Sequence, residues 1–438
     1  MTVVIILLVA VVAVLALYTV RHYVFTLNRL LGTHRQPYVD VTVAQWPRVA
    51  VFVPAHNEEH VIRESLEALL ASEYPADRLE IIPVNDRSTD RTREIVDDYA
   101  ARFPDRVRPF HRTEGLAGKA AALRDAYPLS DAEVHLVFDA DYIPGPRVIQ
   151  QLTAPFFDPE VGAVMGRVVP LNIGRSLITR LLDLERSGGY QVDQQARMNL
   201  RLVPQYGGTV GGVRRVALEQ VGGWTVDSLA EDTDVTYRLL LHGWEVVYQN
   251  RSECYEEVPE NWATRIRQIR RWATGHNQAL RRYAGPLLRR GRLLDLRQIA
   301  DGSLLLGVYV VPVLLLVGWS LAVAVFFAGR LPAHGLLALL AISSFSTVGN
   351  FAAFFEVAVA VRLDGSQNRV RLLPFLLLGF LVSAVAVIRA SMPGWPRWPG
   401  RRRTVTWHKT ERHRNTNGGN GAGTYVLMSA LEYQRSER

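Results

Sequence analysis

The feature that most constrains this 438-residue sequence is a set of long apolar runs near its two ends. Residues 3–20 contain no charge, and about 20 apolar residues in a helix cross the hydrocarbon core of a bilayer. Further apolar runs cover residues 302–329, 331–361 and 372–388, the second of which contains Glu356. The pattern predicts an N-terminal membrane helix, a long polar region and a second group of membrane helices.

A cleaved signal peptide is the alternative interpretation of residues 3–20. No basic residue precedes this run, however, and Arg21-His22 follow it where a small-residue cleavage site would be expected. These flanking residues favour a retained membrane anchor.

The arginines predict the orientation of the polar region. Several follow the first apolar run within residues 21–35, and many more lie within residues 265–297. Because cytoplasmic loops are enriched in Lys and Arg, we expect the polar region in the cytoplasm.

After a cytoplasmic region, three further membrane crossings would leave the basic C-terminal segment outside the cell, so one of the three apolar runs is expected not to cross. The sequence favours residues 372–388, which contain Pro374, and a bend in residues 331–361 is the alternative.

The polar region alternates short apolar runs with turns and amphipathic segments. Residues 48–54, 79–84, 106–110 and 133–138 have the character of strands. This alternation predicts an α/β fold with a doubly wound, mostly parallel sheet that has helices on both faces. In such folds, ligands bind at the carboxyl ends of the strands.

Composition excludes several other classes of protein. Hydrophobic residues make up 48% of the chain, which excludes disorder as a description of the whole chain. The single cysteine, Cys254, cannot form an internal disulfide and favours a reducing compartment. The net charge of +8 does not indicate nucleic-acid binding, because the arginines flank the apolar runs, where anionic lipid headgroups are the simpler partner.

Acidic residues lie at two of the predicted strand ends. Asp86 follows the second strand, and Asp139 and Asp141 follow the fourth. Two carboxylates one residue apart on a loop offer hard oxygen ligands to a divalent cation that also holds phosphate. Taken alone, Asp86 is better explained as a turn or capping residue, and the Asp-x-Asp pair fits turn chemistry as well as metal binding.

Two further groups of polar residues lie closer to the second set of apolar runs. Glu231 and Asp232 open a helix-like segment, where acidic residues also interact favourably with the helix dipole. Gln268, Arg271 and Trp272 share one side of a helix by their i, i+3, i+4 spacing. A cationic helix at a membrane surface would explain the arginines, but not their combination with Gln and Trp.

Six motifs, taken in order along the chain, resemble glycosyltransferase family 2. They are VFVPAHNEE (51–59), VNDRSTD (84–90), GKAAALR (118–124), FDAD (138–141), AEDTD (230–234) and QIRRW (268–272). More narrowly, the chain resembles the membrane-embedded processive branch that includes cellulose, chitin, hyaluronan and poly-N-acetylglucosamine synthases. The resemblance covers residues 48–275. With one apolar run before this region, the chain is more similar to chitin-oligosaccharide synthases than to bacterial cellulose synthase.

This resemblance implies a GT-A fold and an inverting transfer from a UDP-sugar, with Mg²⁺ or Mn²⁺ as the cofactor. The general base would be Asp232, and the metal ligands would be Asp139 and Asp141. Ala230 stands where the family often has Thr, which leaves the carboxylate of Asp232 in place.

The resemblance also implies three sets of binding residues. The residues that would bind the donor nucleotide are Asp86, Lys119, Asp139 and Arg271. Those that would bind the acceptor are Gln268, Trp272 and Glu231. Those of a C-terminal gating segment are Trp407, Lys409, Thr410 and Arg412.

On this basis we expect six segments in the chain. They are a transmembrane helix (1–22), a cytoplasmic GT-A domain (23–280), an amphipathic interfacial segment (281–300), transmembrane or interfacial helices (301–392), a gating segment (393–414) and a flexible tail (415–438). The expected location is the plasma membrane, with several crossings and a cytoplasmic catalytic domain.

The expected function is extension of a polysaccharide or oligosaccharide from a cytoplasmic UDP-sugar. UDP-N-acetylglucosamine is the first choice and UDP-glucose the second. The expected partners are this donor, the growing glycan and the lipid bilayer, but no nucleic acid. Coupled translocation of the polymer and the need for an accessory subunit stay open. Two alternatives also stay open: transfer of a single sugar to a lipid, as in glucosylceramide synthase, and a non-catalytic membrane scaffold or transporter.

Overall fold

The structure is a computed structural model that describes residues 1–35, 38, 45–289, 294–347, 351–365 and 367–391. These residues form two compact units. The first, which we call the helical unit, contains Met1–Arg35, Ile173–Val203 and the described part of Pro259–Thr404. The second, which we call the sheet unit, contains the described part of Gln36–Asn172 together with Pro204–Val258.

The sheet unit contains one sheet, with strands in the order β3-β2-β1-β4-β7-β6-β8-β5. The strands are β1 (Val49–Ala55), β2 (Leu79–Asp86), β3 (Phe110–Arg112), β4 (Val134–Val137), β5 (Ile143–Pro144), β6 (Val161–Pro170), β7 (Gly211–Arg214) and β8 (Glu245–Glu256). Parallel pairs join β1 to β2 and β4, β2 to β3, and β6 to β8. Strand β7 is antiparallel to β4 and β6, and β5 is antiparallel to β8. The sheet is thus mostly parallel, which confirms the predicted α/β class.

The α-helices of the described residues are distributed over both units. They are α1 (Thr2–Leu31), α2 (Ile62–Leu70), α3 (Thr92–Arg102), α4 (Lys119–Ala126), α5 (Val148–Thr153), α6 (Leu177–Ser187), α7 (Gln195–Asn199), α8 (Arg215–Gln220), α9 (Glu231–Leu241), α10 (Trp262–Arg289), α11 (Leu296–Gly307), α12 (Val311–Phe327), α13 (Ala333–Thr347), α14 (Phe351–Leu363) and α15 (Leu376–Ser391). Short 3-10 segments are Ala76–Arg78, Tyr127–Leu129, Ala154–Phe157, Val308–Val310 and Gln367–Phe375, and Gly188–Gln194 is π-helical.

The sheet brings several loops to one edge. Phe52 of β1 lies in register with Val137 at the end of β4, which in turn lies opposite Gly211 at the start of β7. Because β7 is antiparallel to β4, the chain enters β7 from the edge where β4 ends. Residues 205–210 therefore arrive beside the loop that follows β4.

Local sequence patterns predicted some strands better than others. Three of the four predicted strands correspond to β1, β2 and β4. The prediction for residues 106–110 was mostly wrong, since β3 covers Phe110–Arg112 and Val107 makes an isolated bridge to Ile81. The antiparallel strand β7 was not predicted, because its two glycines interrupt the apolar pattern typical of a strand.

Three helical segments among the described residues are long and apolar enough to cross a membrane, namely Thr2–Leu31, Leu296–Phe327 and Asn368–Ser391. Within the predicted run 331–361, the described residues form α13 and α14, which have 15 and 13 residues. Residues 372–388, which the sequence favours as the run that does not cross, lie within a candidate span of 24 residues.

Helix α1 continues to Leu31, beyond the predicted end at residue 22. Arg21 donates to Asp193 Oδ1 at 2.6 Å and to Asp301 Oδ1 at 3.2 Å. Arg197 binds the other oxygens of the same two carboxylates, at 3.2 and 2.8 Å. These four side chains form a ring of alternating charge, so the arginine that follows the apolar run is neutralised within the helical unit.

The acidic residue within the run 331–361 is also paired. The Nδ1 atom of His22 lies 2.5 Å from Oε2 of Glu356 on α14. An ionisable side chain in an apolar helix requires such a partner, because an uncompensated charge is costly in a medium of low dielectric constant.

Candidate active site

Lys119, the first residue of α4, forms an ion pair with a carboxylate of the loop that follows β4. The Nζ atom of Lys119 lies 2.5 Å from Oδ1 of Asp139, which follows β4. Burial alone would lower the pKa of Lys119, but the negative charges of Asp139, Glu231 and Asp232 outweigh burial and raise it. Lys119 is therefore paired with the loop after β4, and the charges of the first turn of α9 act on the same ammonium group.

The carboxylate of Asp86, at the end of β2, is held by three groups. Arg112 Nη1 donates to Oδ1 at 2.6 Å, and Arg87 donates to the two oxygens at 2.8 and 3.1 Å. The backbone N–H of Gly118 donates to Oδ2 at 3.2 Å. Because Gly118 directly precedes Lys119, the predicted nucleotide residues Asp86 and Lys119 belong to one continuous site.

Gly118 can direct its N–H toward Asp86 because of its backbone conformation. Its φ of +113° lies in a region that residues with a side chain rarely adopt. The glycine of the GKAAALR motif thus has a geometric role, as the residue that both starts α4 and binds the carboxylate at the end of β2.

Asp232 lies in the first turn of α9, and one of its carboxylate oxygens is fixed. The backbone N–H of Thr233 donates to Oδ1 at 2.7 Å, and the Thr233 hydroxyl lies 3.4 Å from the same oxygen. Gly208 packs against this side chain, since a Cβ at position 208 would lie 3.1 Å from Cβ of Asp232 and 3.5 Å from Oε1 of Glu231. The orientation of Asp232 is therefore set from two sides.

Asp139 and Asp141 lie one residue apart between β4 and β5. The side chain of Asp139 is 31% exposed, whereas Asp141 is buried. Within the described residues, no three His, Cys, Asp or Glu side chains are grouped so as to hold a metal ion. Two carboxylates still suit Mg²⁺ or Mn²⁺ in a nucleotide site, because phosphate oxygens and water supply the other ligands. This donor set fits a divalent cation that is bound together with a diphosphate.

The residues Gln268, Arg271 and Trp272 lie on α10 of the helical unit, and all three are half-buried. Two guanidinium groups approach the indole ring of Trp272, that of Arg265 at 5.1 Å and that of Arg186 at 5.6 Å from the ring centroid. Arg265 also donates to Oε1 of Gln268 at 2.8 Å. Cation–π contacts of this kind fix the plane of the indole.

The predicted gating residues lie outside the part of the chain that the structure describes. They are Trp407, Lys409, Thr410 and Arg412.

Some groups of the site were missed by the sequence analysis. Arg112 reaches Asp86 because the two residues are in register on neighbouring strands, which only the sheet reveals. Thr233 and Gly208 were also missed, although the adjacent glycines at 207 and 208 were a usable signal. Paired glycines between apolar segments indicate a turn or a close backbone approach.

Comparison with known proteins gives the family context of this site. The sequence profile described as "Glycosyltransferase like family 2" matches residues 47–275. The "Probable glycosyltransferase YdaM" of Bacillus subtilis is 33% identical over 279 residues, which cover 63% of this chain and 65% of the relative. The "Probable glucomannan 4-beta-mannosyltransferase 1" of Arabidopsis thaliana is 29% identical over 248 residues, which cover 55% of this chain and 45% of the relative.

A third relative has a name that refers to a lipid. The "Beta-monoglucosyldiacylglycerol synthase" of Synechocystis is 31% identical over 240 residues, which cover 55% of this chain and 50% of the relative. The matched regions thus span less than two thirds of the length of these three relatives.

A solved structure supports the fold. It is the mannosyltransferase PcManGT from Pyrobaculum calidifontis in complex with GDP-Man and Mn²⁺, and the superposition has a TM-score of 0.59. It covers 82% of this chain and 97% of that protein at 24% sequence identity. The α/β architecture described above is therefore GT-A-like.

Proposed function

Because the chain belongs to glycosyltransferase family 2, we propose that it is a membrane-embedded, inverting β-glycosyltransferase that extends a polysaccharide or oligosaccharide. The observation that carries the proposal is the ion pair between Lys119 and Asp139, on whose ammonium group the negative charges of Glu231 and Asp232 also act. Transfer from a nucleotide-diphosphate sugar needs positive charge near the leaving diphosphate and a base near the acceptor hydroxyl. This arrangement offers both within one site.

The donor nucleotide occupies the edge of the sheet between β2 and β4. Asp86, oriented by Arg112 and Gly118, holds the uridine. Lys119 and Arg271 meet the diphosphate oxygens, for which ammonium and guanidinium groups are suitable donors. The assignment of Arg271 rests on its place in the QIRRW motif.

Asp139 and Asp141 are the residues that would hold Mg²⁺ or Mn²⁺. When bound there, the cation supplies Lewis-acid stabilisation of the charge that develops on the leaving diphosphate. The ammonium group of Lys119 acts on the same side of the reaction because it already contacts Asp139.

Asp232 is the general base of the transfer. Its Oδ1 is held by Thr233, so its other oxygen takes the proton of the acceptor hydroxyl. As that proton leaves, the hydroxyl oxygen bonds to the anomeric carbon, and the bond from this carbon to the diphosphate breaks with its electron pair on the nucleotide. Attack from the face opposite the leaving group inverts the configuration, so an α-linked donor gives a β-linked product.

The acceptor sugar is bound by Gln268, Trp272 and Glu231. The face of the Trp272 indole, which two arginines hold in place, stacks on the apolar face of a sugar ring. The proposed gating segment is residues 393–414, which include Trp407, Lys409, Thr410 and Arg412.

The proposed location is a cell membrane, with the GT-A domain in the cytoplasm. Three candidate spans by length and composition support membrane association. The arginines that follow the first span and precede the second support the cytoplasmic orientation, by the positive-inside rule.

The donor that we favour is UDP-N-acetylglucosamine, followed by UDP-glucose. This order rests on the resemblance of the membrane arrangement to chitin-oligosaccharide synthases. The plant relative is named as a mannosyltransferase, so GDP-mannose is the third donor to be tested.

The test is release of nucleotide by the purified chain in lipid nanodiscs with Mg²⁺ or Mn²⁺, followed by sizing of the radiolabelled product. One preferred donor that yields a ladder or a polymer is the expected result. Asp232→Asn should lower kcat by at least about 100-fold, because a general base contributes roughly 10²–10⁴-fold to such reactions. Asp77→Asn, at a side chain that is 81% exposed on the surface, is the matched control and should retain full activity. Full activity of Asp232→Asn would refute the assignment of the base.

The second candidate is transfer of one sugar to a lipid. It is favoured by the relative that is named as a monoglucosyldiacylglycerol synthase. A product that partitions into organic solvent and carries a single sugar would establish this function instead.

A further inference from the structure

One short segment of the sheet unit contacts both acidic motifs of the proposed active site. This segment, residues 205–209 with the sequence QYGGT, leads into β7. Its last residue, Thr209, accepts a hydrogen bond at its hydroxyl from the N–H of Asp139 at 3.1 Å. Its Gly208 packs against the side chain of Asp232. The 205–209 segment therefore bridges the loop after β4 and the first turn of α9.

The side chain of Gln205 begins a chain of hydrogen bonds that ends at Asp232. Gln205 Nε2 donates to the hydroxyl oxygen of Thr233 at 2.9 Å. Thr233 donates to Oδ1 of Asp232 through its N–H at 2.7 Å and its hydroxyl at 3.4 Å. Because Gln205 supplies a hydrogen to this hydroxyl, the hydroxyl's own proton is directed toward Asp232.

The backbone of the segment makes a second connection to the same turn. The N–H of Tyr206 donates to the hydroxyl of Thr236 at 3.2 Å, and that hydroxyl donates to the carbonyl of Asp232 at 2.8 Å. The segment is also fixed to β6, because the N–H of Gly207 lies 3.0 Å from Sδ of Met165. Both the carboxylate and the carbonyl of Asp232 are thus connected through a threonine to a segment that is itself anchored.

We propose that Gln205 is a positioning residue for the transfer reaction. It acts through Thr233 to hold Oδ1 of Asp232, which aims the second oxygen of this carboxylate at the acceptor hydroxyl. This inference rests on the proposed function, because it takes Asp232 as the base.

Charged and titratable groups from other elements also face Asp232. The negative charge of Asp232 acts on the ammonium group of Lys119 on α4, together with the charges of Glu231 on the same helix and of Asp139 after β4. Tyr206 lies near the same carboxylates and is buried and neutral.

The experiment measures kcat, the donor KM and the pH profile for Gln205→Met and Thr233→Val in nanodiscs. We expect kcat to fall about 3- to 10-fold in each variant, which corresponds to the loss of one hydrogen bond. The donor KM should stay unchanged, because the lost hydrogen bond positions the base and does not touch the donor. A third variant, Gln205→Glu, keeps the size of the side chain, but its ionised carboxylate accepts the hydroxyl proton of Thr233 and turns it away from Asp232. Its loss of kcat should increase as the pH rises.

Two variants are matched controls for the loss of these side-chain groups. Thr153→Val removes a buried hydroxyl that donates to the carbonyl of Ile149 in its own helix, at 2.7 Å, and that lies away from Asp232 in the chain and in the fold. Gln220→Met removes an amide that accepts from Nε1 of Trp244 on the surface. Both controls should leave kcat and its pH profile unchanged.

The outcomes separate this inference from the proposed function. If Asp232→Asn keeps its activity, the assignment of the base is wrong. If Asp232→Asn is inactive while the Gln205 and Thr233 variants keep the wild-type kcat and pH profile, the positioning role of Gln205 is overturned. A fall in kcat that occurs equally in Thr153→Val and Gln220→Met would also overturn it, because the loss would then be structural.

Discussion

The Nζ atom of Lys119 lies 2.5 Å from Oδ1 of Asp139, so a lysine and a carboxylate that we assign to metal binding form one ion pair. Both side chains are partly buried, at 19% and 31% exposure. Under the proposed function, this pair would let a site with several acidic side chains accept a diphosphate. The lysine offsets the negative charge of the carboxylates and keeps a cationic donor beside the position of the leaving group.

The first prediction concerns this lysine. Lys119→Met keeps most of the side-chain volume but removes the positive charge. We expect kcat/KM for the nucleotide sugar to fall about 10²- to 10³-fold, as for the loss of one preorganised donor to developing negative charge. The measurement is nucleotide release at saturating metal. Arg48→Met, at an exposed arginine paired with Asp131, is the control, and an equal loss there would contradict a specific role for Lys119.

The second prediction concerns the space beside the proposed base. Gly208→Ala places a Cβ at 3.1 Å from Cβ of Asp232, so the carboxylate must move. A displacement near 1 Å at a reacting group lowers the rate by about 100-fold, and we expect a loss of at least about 10-fold in kcat.

Gly222→Ala separates this effect from backbone strain. Gly208 and Gly222 have φ of +74° and +87°, so an alanine at either position costs about 1–2 kcal/mol of folding stability. Nothing lies within 4 Å of a Cβ at position 222. The two variants should lose similar thermal stability, but only Gly208→Ala should lose turnover. Equal losses of activity would mean that the glycine is needed for the backbone alone.

These residues illustrate which parts of the site are encoded locally. Asp86, Asp139 and Asp232 were found in the sequence because they follow apolar runs or open an amphipathic segment, which are patterns within a few residues. The groups that hold these carboxylates in place depend on the register between strands and on packing between elements. Arg112 faces Asp86 only because β2 and β3 pair in parallel, and a single-residue slip would turn it to the other face of the sheet.

In the helical unit, too, contacts between residues far apart in the sequence could not be predicted. The sequence predicted that Arg21 marks the cytoplasmic end of the first apolar run. In the structure Arg21 binds Asp193, which is 172 residues away in the chain. No periodic pattern in the sequence encodes a pair at that separation. The helix was therefore predicted to end with the apolar run, at residue 22, whereas α1 continues to Leu31.

The third prediction concerns the stability of the sheet unit. The hydroxyl of Tyr206 is buried and has no hydrogen-bond partner among the described residues. Burial, and then the charges of Glu231, Asp232 and Asp139, raises the pKa of Tyr206 well above its usual value, so the phenol stays neutral. Tyr206→Phe removes an unsatisfied polar group, and the free energy of unfolding should stay the same or rise by about 1 kcal/mol.

Tyr99→Phe is the matched comparison for Tyr206→Phe. The hydroxyl of Tyr99 donates to Oε1 of Glu67 at 2.5 Å, so its removal should lower the free energy of unfolding by about 1 kcal/mol. Thermal unfolding of both variants tests the contrast. A fall in stability for Tyr206→Phe as large as that for Tyr99→Phe would show that the Tyr206 hydroxyl is hydrogen-bonded in the folded protein.

The fourth prediction concerns acid sensitivity. His135 on β4 is buried, and burial, followed by the positive charge of Arg215, lowers its pKa from 6.5 to about 4. The unfolded chain binds a proton at this residue below pH 6.5, whereas the folded chain does so only near pH 4. The contribution of neutral His135 to stability is therefore complete above pH 6.5 and is lost as the pH falls toward 4, by about 3 kcal/mol in total.

His135→Phe should flatten the dependence of the unfolding midpoint on pH between 6.5 and 4, because Phe cannot take up a proton. His60→Phe, at a side chain that is 59% exposed, should leave this dependence as in the wild type. An unchanged slope in His135→Phe would mean that other groups, not this histidine, set the acid limit of the fold.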